Sequence, residues 1–144
     1  IIAAQRNHPD VLQLLIDRGA AVNTPKNNGE TPLFGAAQRN LLDVTKILIS
    51  NNAAVDQAKN DGTMPLSVAS ETNSLQVVKF LVSNNATIDQ AKNDGVTPLY
   101  MASQNNHLKV VKFLVSNIAA LLIRLRKTDV PRSTLPLPKG IWKS

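Results

Sequence analysis

The stretch Asn93-Asp94-Gly95-Val96-Thr97-Pro98-Leu99-Tyr100 decides the fold, because the chain says it three times. It returns as Asn60-Asp61-Gly62-Thr63-Met64-Pro65-Leu66-Ser67 and as Asn27-Asn28-Gly29-Glu30-Thr31-Pro32-Leu33-Phe34, with Pro32, Pro65 and Pro98 spaced 33 residues apart. A fixed period of that size is the signature of stacked repeats. Working outward, residues 56–85 and 89–118 agree at 21 of 30 positions, so these two units are copies of one another. The earlier units are more diverged.

Each unit reads as a turn followed by two helices. Asn28-Gly29, Asp61-Gly62 and Asp94-Gly95 are dipeptides that tolerate positive φ, as a tight reversing turn requires. Thr31 and Thr97 then stand directly before proline. A threonine hydroxyl can accept from the free N–H groups of a helix start, and proline at the first helical position has no N–H to leave unpaired. Small residues follow on one side of a short helix (Ala36 and Ala37, Ala69 and Ser70, Ala102 and Ser103) and let neighbouring helices approach closely. Asparagine is the non-glycine residue best suited to the left-handed conformation, so Asn7, Asn40, Asn73 and Asn106 should end the first helices. A second helix then carries apolar residues at i, i+3 and i+4, as in Val77, Phe80 and Leu81. Gly19, Asn52 and Asn85 should end it.

Two places break the rule. Met64 stands where Thr31 and Thr97 cap, so the unit-3 helix start should be weaker by ~1 kcal/mol. On that reading, Met64→Thr raises the melting temperature. Ile118 stands where Asn85 ends its helix, and a β-branched residue resists positive φ. Val111, Leu114, Val115, Ile118, Leu121, Leu122 and Leu125 keep helical spacing, so one long final helix is expected over about residues 107–127. The rival is a break near Ser116-Asn117 with a separate short helix.

This pattern resembles the ankyrin repeat. The matching residues are Thr-Pro-Leu at 31–33 and 97–99, the Ala-Ala or Ala-Ser pair, and Val-Val-Lys-Phe-Leu-Val followed by Asn-Ala where the family prefers Gly-Ala. The resemblance covers about residues 1–120 in four units. The family's histidine after Thr-Pro-Leu is replaced by Phe34, Ser67 and Tyr100, which removes its bonds between repeats. Phe34 and Tyr100 could be partner anchors or packing between repeats. The implied fold is all-α: a solenoid of stacked helix-turn-helix units joined by short β-hairpin loops. The expected layout is a partial unit at 1–23, units at 24–56, 57–89 and 90–120, and a basic, Pro-containing tail at 121–144 with its helix extending to about 127. Unit 1 opens at the equivalent of Phe34, so further repeats are expected before it.

Composition excludes several classes of chemistry. The 144 residues include no cysteine, which removes disulfides, thiolate metal sites and cysteine nucleophiles. Aromatic residues make up only 3%, and a core of Leu, Val, Ile and Ala suits thin stacked helices. The net charge of +6 is uneven: residues 1–120 hold ten Lys/Arg against nine Asp/Glu, and residues 121–144 hold six against one. Arg124, Arg126, Lys127 and Arg132 form the dense basic group. No aromatics interleave them, which argues against nucleic acid. No apolar run approaches the ~18–20 residues that span a bilayer, which argues against a membrane. Lys26, Lys59 and Lys92 recur once per unit and read as a solvated edge. His8 and His107 precede second helices, where the family often has histidine, and lack partners for metal or acid–base work. The segment 131–138 should be extended, and Trp142 should pack back or stay free. No cofactor is implied.

What remains is surface. In ankyrin repeats, partners meet the hairpin tips and the exposed side of the first helices. Carried over, those positions are Gln5 and Arg6; Asn27, Asn28, Glu30, Gln38 and Arg39; Asn60, Asp61, Thr63, Glu71 and Thr72; and Asn93, Asp94, Val96, Gln104 and Asn105. The resemblance implies a non-enzymatic scaffold that binds another protein, in the cytoplasm. The alternative is the regulatory segment of a larger enzyme or channel.

Overall fold

A computed structural model describes residues 2–128; the expectations for residues 131–138 and for Trp142 lie outside that range. Eight helices follow one another: α1 (Ile2–Gln5), α2 (Pro9–Asp17), α3 (Pro32–Gln38), α4 (Leu42–Ser50), α5 (Pro65–Glu71), α6 (Leu75–Ser83), α7 (Pro98–Gln104) and α8 (Leu108–Thr128). The starts of α3 and α7 are capped as their sequence suggests. Thr31 Oγ1 accepts from the Phe34 N–H at 3.1 Å, and Thr97 Oγ1 accepts from the Tyr100 N–H at 3.2 Å. Proline fills the first position of both.

The helix ends are set by asparagine. Asn7, Asn40, Asn73 and Asn106 have φ of 56–58° and follow the first helices; Asn52 and Asn85, at 66° and 67°, follow the second helices. Gly19 does the same after α2, at 91°. At the ends of α2, α4 and α6 the turn closes with paired bonds, as where Asn85 N–H donates to the Val82 carbonyl and Ala86 N–H to the Leu81 carbonyl. These bonds satisfy carbonyls that a helix end otherwise leaves open. Unit 4 has Asn117-Ile118 at this point, and α8 runs through without a break for 21 residues, roughly 30 Å.

The helices stack in two rows. The first helices contact one another in the order α1, α3, α5, α7, and the second helices in the order α2, α4, α6, α8. Between the rows lies one core, with Leu33, Leu48, Leu66, Leu81 and Leu114 almost fully buried. Ala36, Ala69 and Ala102 are wholly buried where the first helices meet, consistent with the need for small residues at a close approach. Neighbours explain the exceptions. Leu15 is 45% exposed while its copies Leu48, Leu81 and Leu114 are at 0%, since no described unit precedes α2. Phe34 and Ser67 are buried between units, whereas their copy Tyr100 is exposed because no described unit follows α7. Phe34 is therefore packing between repeats. Ser67 Oγ is buried with no hydrogen-bond partner, a cost of about 1–3 kcal/mol for placing serine at that position.

Two expectations change. The loops between units carry one reversed rung each, such as Lys59 N–H to the Thr63 carbonyl with Gly62 N–H returning to the Lys59 carbonyl, and no strand forms among the described residues. Met64 makes no capping bond, as read, but it is only 4% exposed. Met64→Thr would gain a cap of ~1 kcal/mol and lose thioether burial of a similar size. The melting temperature is therefore expected to stay within about 3 °C of the parent by far-UV circular dichroism; a rise of more than about 5 °C would show that the cap dominates.

Candidate functional site

The three loop tips form one continuous row because each is bonded to the next. Asn60 donates its backbone N–H to the Asn28 carbonyl at 3.0 Å and its Nδ2 to the Asn27 carbonyl at 3.0 Å. One unit on, Asn93 repeats both bonds, to the Asp61 and Asn60 carbonyls, each at 3.1 Å. The asparagine at the head of each tip thus clamps the tip before it. Asn27, with no described tip before it, makes no such bond.

Within each tip the second residue shapes its own turn. Asn28 Oδ1 accepts from the Glu30 N–H, Asp61 Oδ1 from the Thr63 N–H and Asp94 Oδ1 from the Val96 N–H, at 2.9–3.1 Å. Hydrogen bonds from the Thr63 hydroxyl and backbone N–H hold the Asp61 carboxyl below the usual aspartate range. Asp94 also faces Lys92, with 3.6 Å between Oδ2 and Nζ.

The residue after glycine is less available than the sequence suggests. Thr63 is buried at 7%, so its side chain is not part of an exposed surface; its hydroxyl is bonded to the Asp61 carboxylate. Its copies Glu30 and Val96 are half-buried. Glu30 accepts from Gln5 Nε2 at 2.7 Å and pairs with Lys26 at 2.9 Å. Burial pushes its carboxyl up, but Lys26 and Asn28 outweigh that and hold it below the ordinary glutamate value. Gln5 is half-buried in this contact, and Arg6 beside it is exposed.

The first helices add a second line of exposed residues. In α3 the residues Pro32–Ala37 are all buried and Gln38 alone is exposed; in α5 only Glu71 is. Gln38 and Arg39, Glu71 and Thr72, and Gln104 and Asn105 thus reach solvent at equivalent places in three successive units. Some of their polar groups are committed locally: Arg39 Nη1 reaches the Gly35 carbonyl at 3.4 Å, Thr72 Oγ1 donates to the Val68 carbonyl, and Asn105 Nδ2 donates to the Met101 carbonyl. His107 bonds through Nε2 to the Glu71 carbonyl at 2.7 Å, tying unit 4 to unit 3. That is a structural use. Lys26 and Lys92 are in ion pairs, and Lys59 lies over the Phe34 ring at 5.1 Å, so this lysine series is tied into the tips.

Sequence reasoning foresaw the row of tips and the exposed helix ends, but not the clamp. The signal was present: Asn27, Asn60 and Asn93 recur at the period just as the turn glycines do. Among the described residues no cluster of three or more His, Asp or Glu side chains could hold a metal ion, and no helix is long and apolar enough to cross a membrane.

A comparison with curated proteins returns no match. A family model for ankyrin repeats in three copies matches residues 1–92 and again residues 51–124, covering most of the chain. Ankyrin repeats are generally protein–protein interaction modules. With its paired helices, asparagine-ended turns and clamped loop tips, this chain belongs to the ankyrin repeat family.

Proposed function

We propose that this protein is a scaffold that binds another protein across the row of loop tips and the exposed ends of the first helices. The observation that carries the reading is the clamp. Asn60 and Asn93 lock successive tips together by backbone and side-chain bonds, so the row exists before any partner arrives. A preformed surface spends little of its interaction energy on ordering itself. The surface it offers is polar: Asn28, Asp61 and Asp94 at the tips, and Gln38, Arg39, Glu71, Thr72, Gln104 and Asn105 along the helix ends. Few apolar or aromatic anchors stand on it, which fits a hydrogen-bonded contact of modest affinity. The reading carries with it the cytoplasmic location that the family resemblance implies.

The test is affinity capture with the parent protein and an Asp94→Ala/Gln104→Ala/Asn105→Ala variant, read by quantitative mass spectrometry. Asp94 and Asn105 each give up a local bond, to the Val96 N–H and the Met101 carbonyl, so the variant's helical spectrum is matched to the parent's before capture. Loss of one or more captured proteins, by at least about fivefold, is expected. Capture of an identical set in identical amounts would reject this face.

A further inference from the structure

The second helices carry a lysine row that the tip surface does not use. Lys46, Lys79 and Lys112 lie 33 residues apart on α4, α6 and α8, and all three are exposed, as is Lys109. None is in an ion pair among the described residues. Lys79 lies 5.9 Å from the Phe113 ring and is shared by two shallow grooves. One groove, between α6 and α8, is lined by Leu75 and Phe113 with Lys79, Lys109 and Lys112. The other, between α4 and α6, is lined by Leu42 and Phe80 with Lys46 and Lys79. Each groove is thus lined by apolar side chains and lysines together, with Ser116 also on the first and Gln76 and Ser83 on the second.

The charge on this side is not balanced locally. No Asp or Glu occurs from Val96 to Thr128, and α6 has none. Asp43, one turn before Lys46, is the acid at the far end; its copies in the next two units are Gln76 and Lys109. The positive field therefore grows from α4 to α8.

We propose that this back face is a second interaction surface that takes an extended acidic segment of a partner protein, crossing α4, α6 and α8. The spacing sets the partner's pattern. Packed helices lie about 8–10 Å apart, and an extended chain of the polyproline II type advances ~3.1 Å per residue with about three residues per turn, so one carboxylate every third residue stays on one side and meets one lysine per helix. An apolar residue between carboxylates drops into each groove. The chemistry is that of a peptide with acid and apolar residues repeating in threes. Phe80 and Phe113, the aromatic residues that line these grooves, are half-buried, so the grooves offer no fully exposed ring for stacking a base.

The test is fluorescence anisotropy with a labelled twelve-residue peptide of Glu-Leu-Ser repeated four times. Two probes are compared with it: a peptide of the same composition with its glutamates in one block, and a single-stranded oligothymidine of equal length. Saturable binding of the periodic peptide is expected, weakening as salt rises. Lys79→Gln should weaken it about threefold to fivefold, and Lys79→Gln/Lys112→Gln about tenfold. Arg18→Gln removes the same charge as Lys79→Gln but sits on unit 1, and should leave the affinity unchanged. The proposal is overturned by absence of binding up to about 1 mM, by equal or tighter binding of the block peptide or oligothymidine, or by Arg18→Gln weakening binding as much as Lys79→Gln.

Discussion

Leu81→Ala is expected to destabilise the protein by about 2–5 kcal/mol, the range for emptying a well-packed leucine site. Leu81 lies on α6 in the third of four units and has no exposed surface. It belongs to the core shared by both rows of helices. In a stacked array each unit contacts only its neighbours, so weakening unit 3 also weakens the coupling of unit 4 to unit 2. Urea unfolding followed by circular dichroism should therefore show a lower midpoint and a broader transition. Leu15→Ala supplies the comparison. It removes the same atoms at the same place in the repeat, but Leu15 is 45% exposed, and its cost should be about 1 kcal/mol or less. Equal losses from the two substitutions would mean that the units do not stack in chain order.

The contrast between these leucines shows where sequence reading reaches and where it stops. The period, the capping threonines and the helix-ending asparagines are local properties, each needing only a few neighbouring residues. Their readings hold in the structure at Thr31, Thr97, Asn40, Asn73, Asn85 and Asn106. The long α8 was legible for the same reason, from the single exchange of Asn85 for Ile118. Burial at the tips was not. Thr63 and Met64 look like loop residues, yet both are covered, and burial depends on the packed surroundings that local sequence does not show. Nor was the role of Asn60 and Asn93 evident: an asparagine beside Asp-Gly reads as turn chemistry, and only stacking of the tips gives its amide a carbonyl 33 residues back. Of the candidate site, residue positions were readable and side-chain availability was not.

Gly62→Ala should cost about 3 kcal/mol, and Gly95→Ala only about 1–2 kcal/mol, although the two glycines stand in the same Asn-Asp-Gly sequence. Both have positive φ, 83° and 86°, a region in which an L side chain costs about 1–2 kcal/mol. They differ in what lies beyond. A Cβ at Gly95 would have nothing within 4 Å. A Cβ at Gly62 would strike the Asn93 side chain and come within 2.7 Å of the Asn93 backbone nitrogen, closer than such atoms can approach. The tips of units 3 and 4 must then part. The Asn93 bonds to the Asp61 and Asn60 carbonyls are stretched or lost, each worth about 1 kcal/mol. Gly29 meets Asn60 in the same way, with the Asn60 backbone nitrogen 2.8 Å from such a Cβ, and Gly29→Ala should match Gly62→Ala. The measurement is urea unfolding of the three variants, with amide hydrogen exchange at Asn60 and Asn93. Faster exchange at Asn93 in Gly62→Ala alone, and at Asn60 in Gly29→Ala alone, would locate the damage in the clamp. If all three glycines cost the same, the turn conformation is the whole effect, and the tips are not held together by the asparagine bonds that make the row a preformed surface.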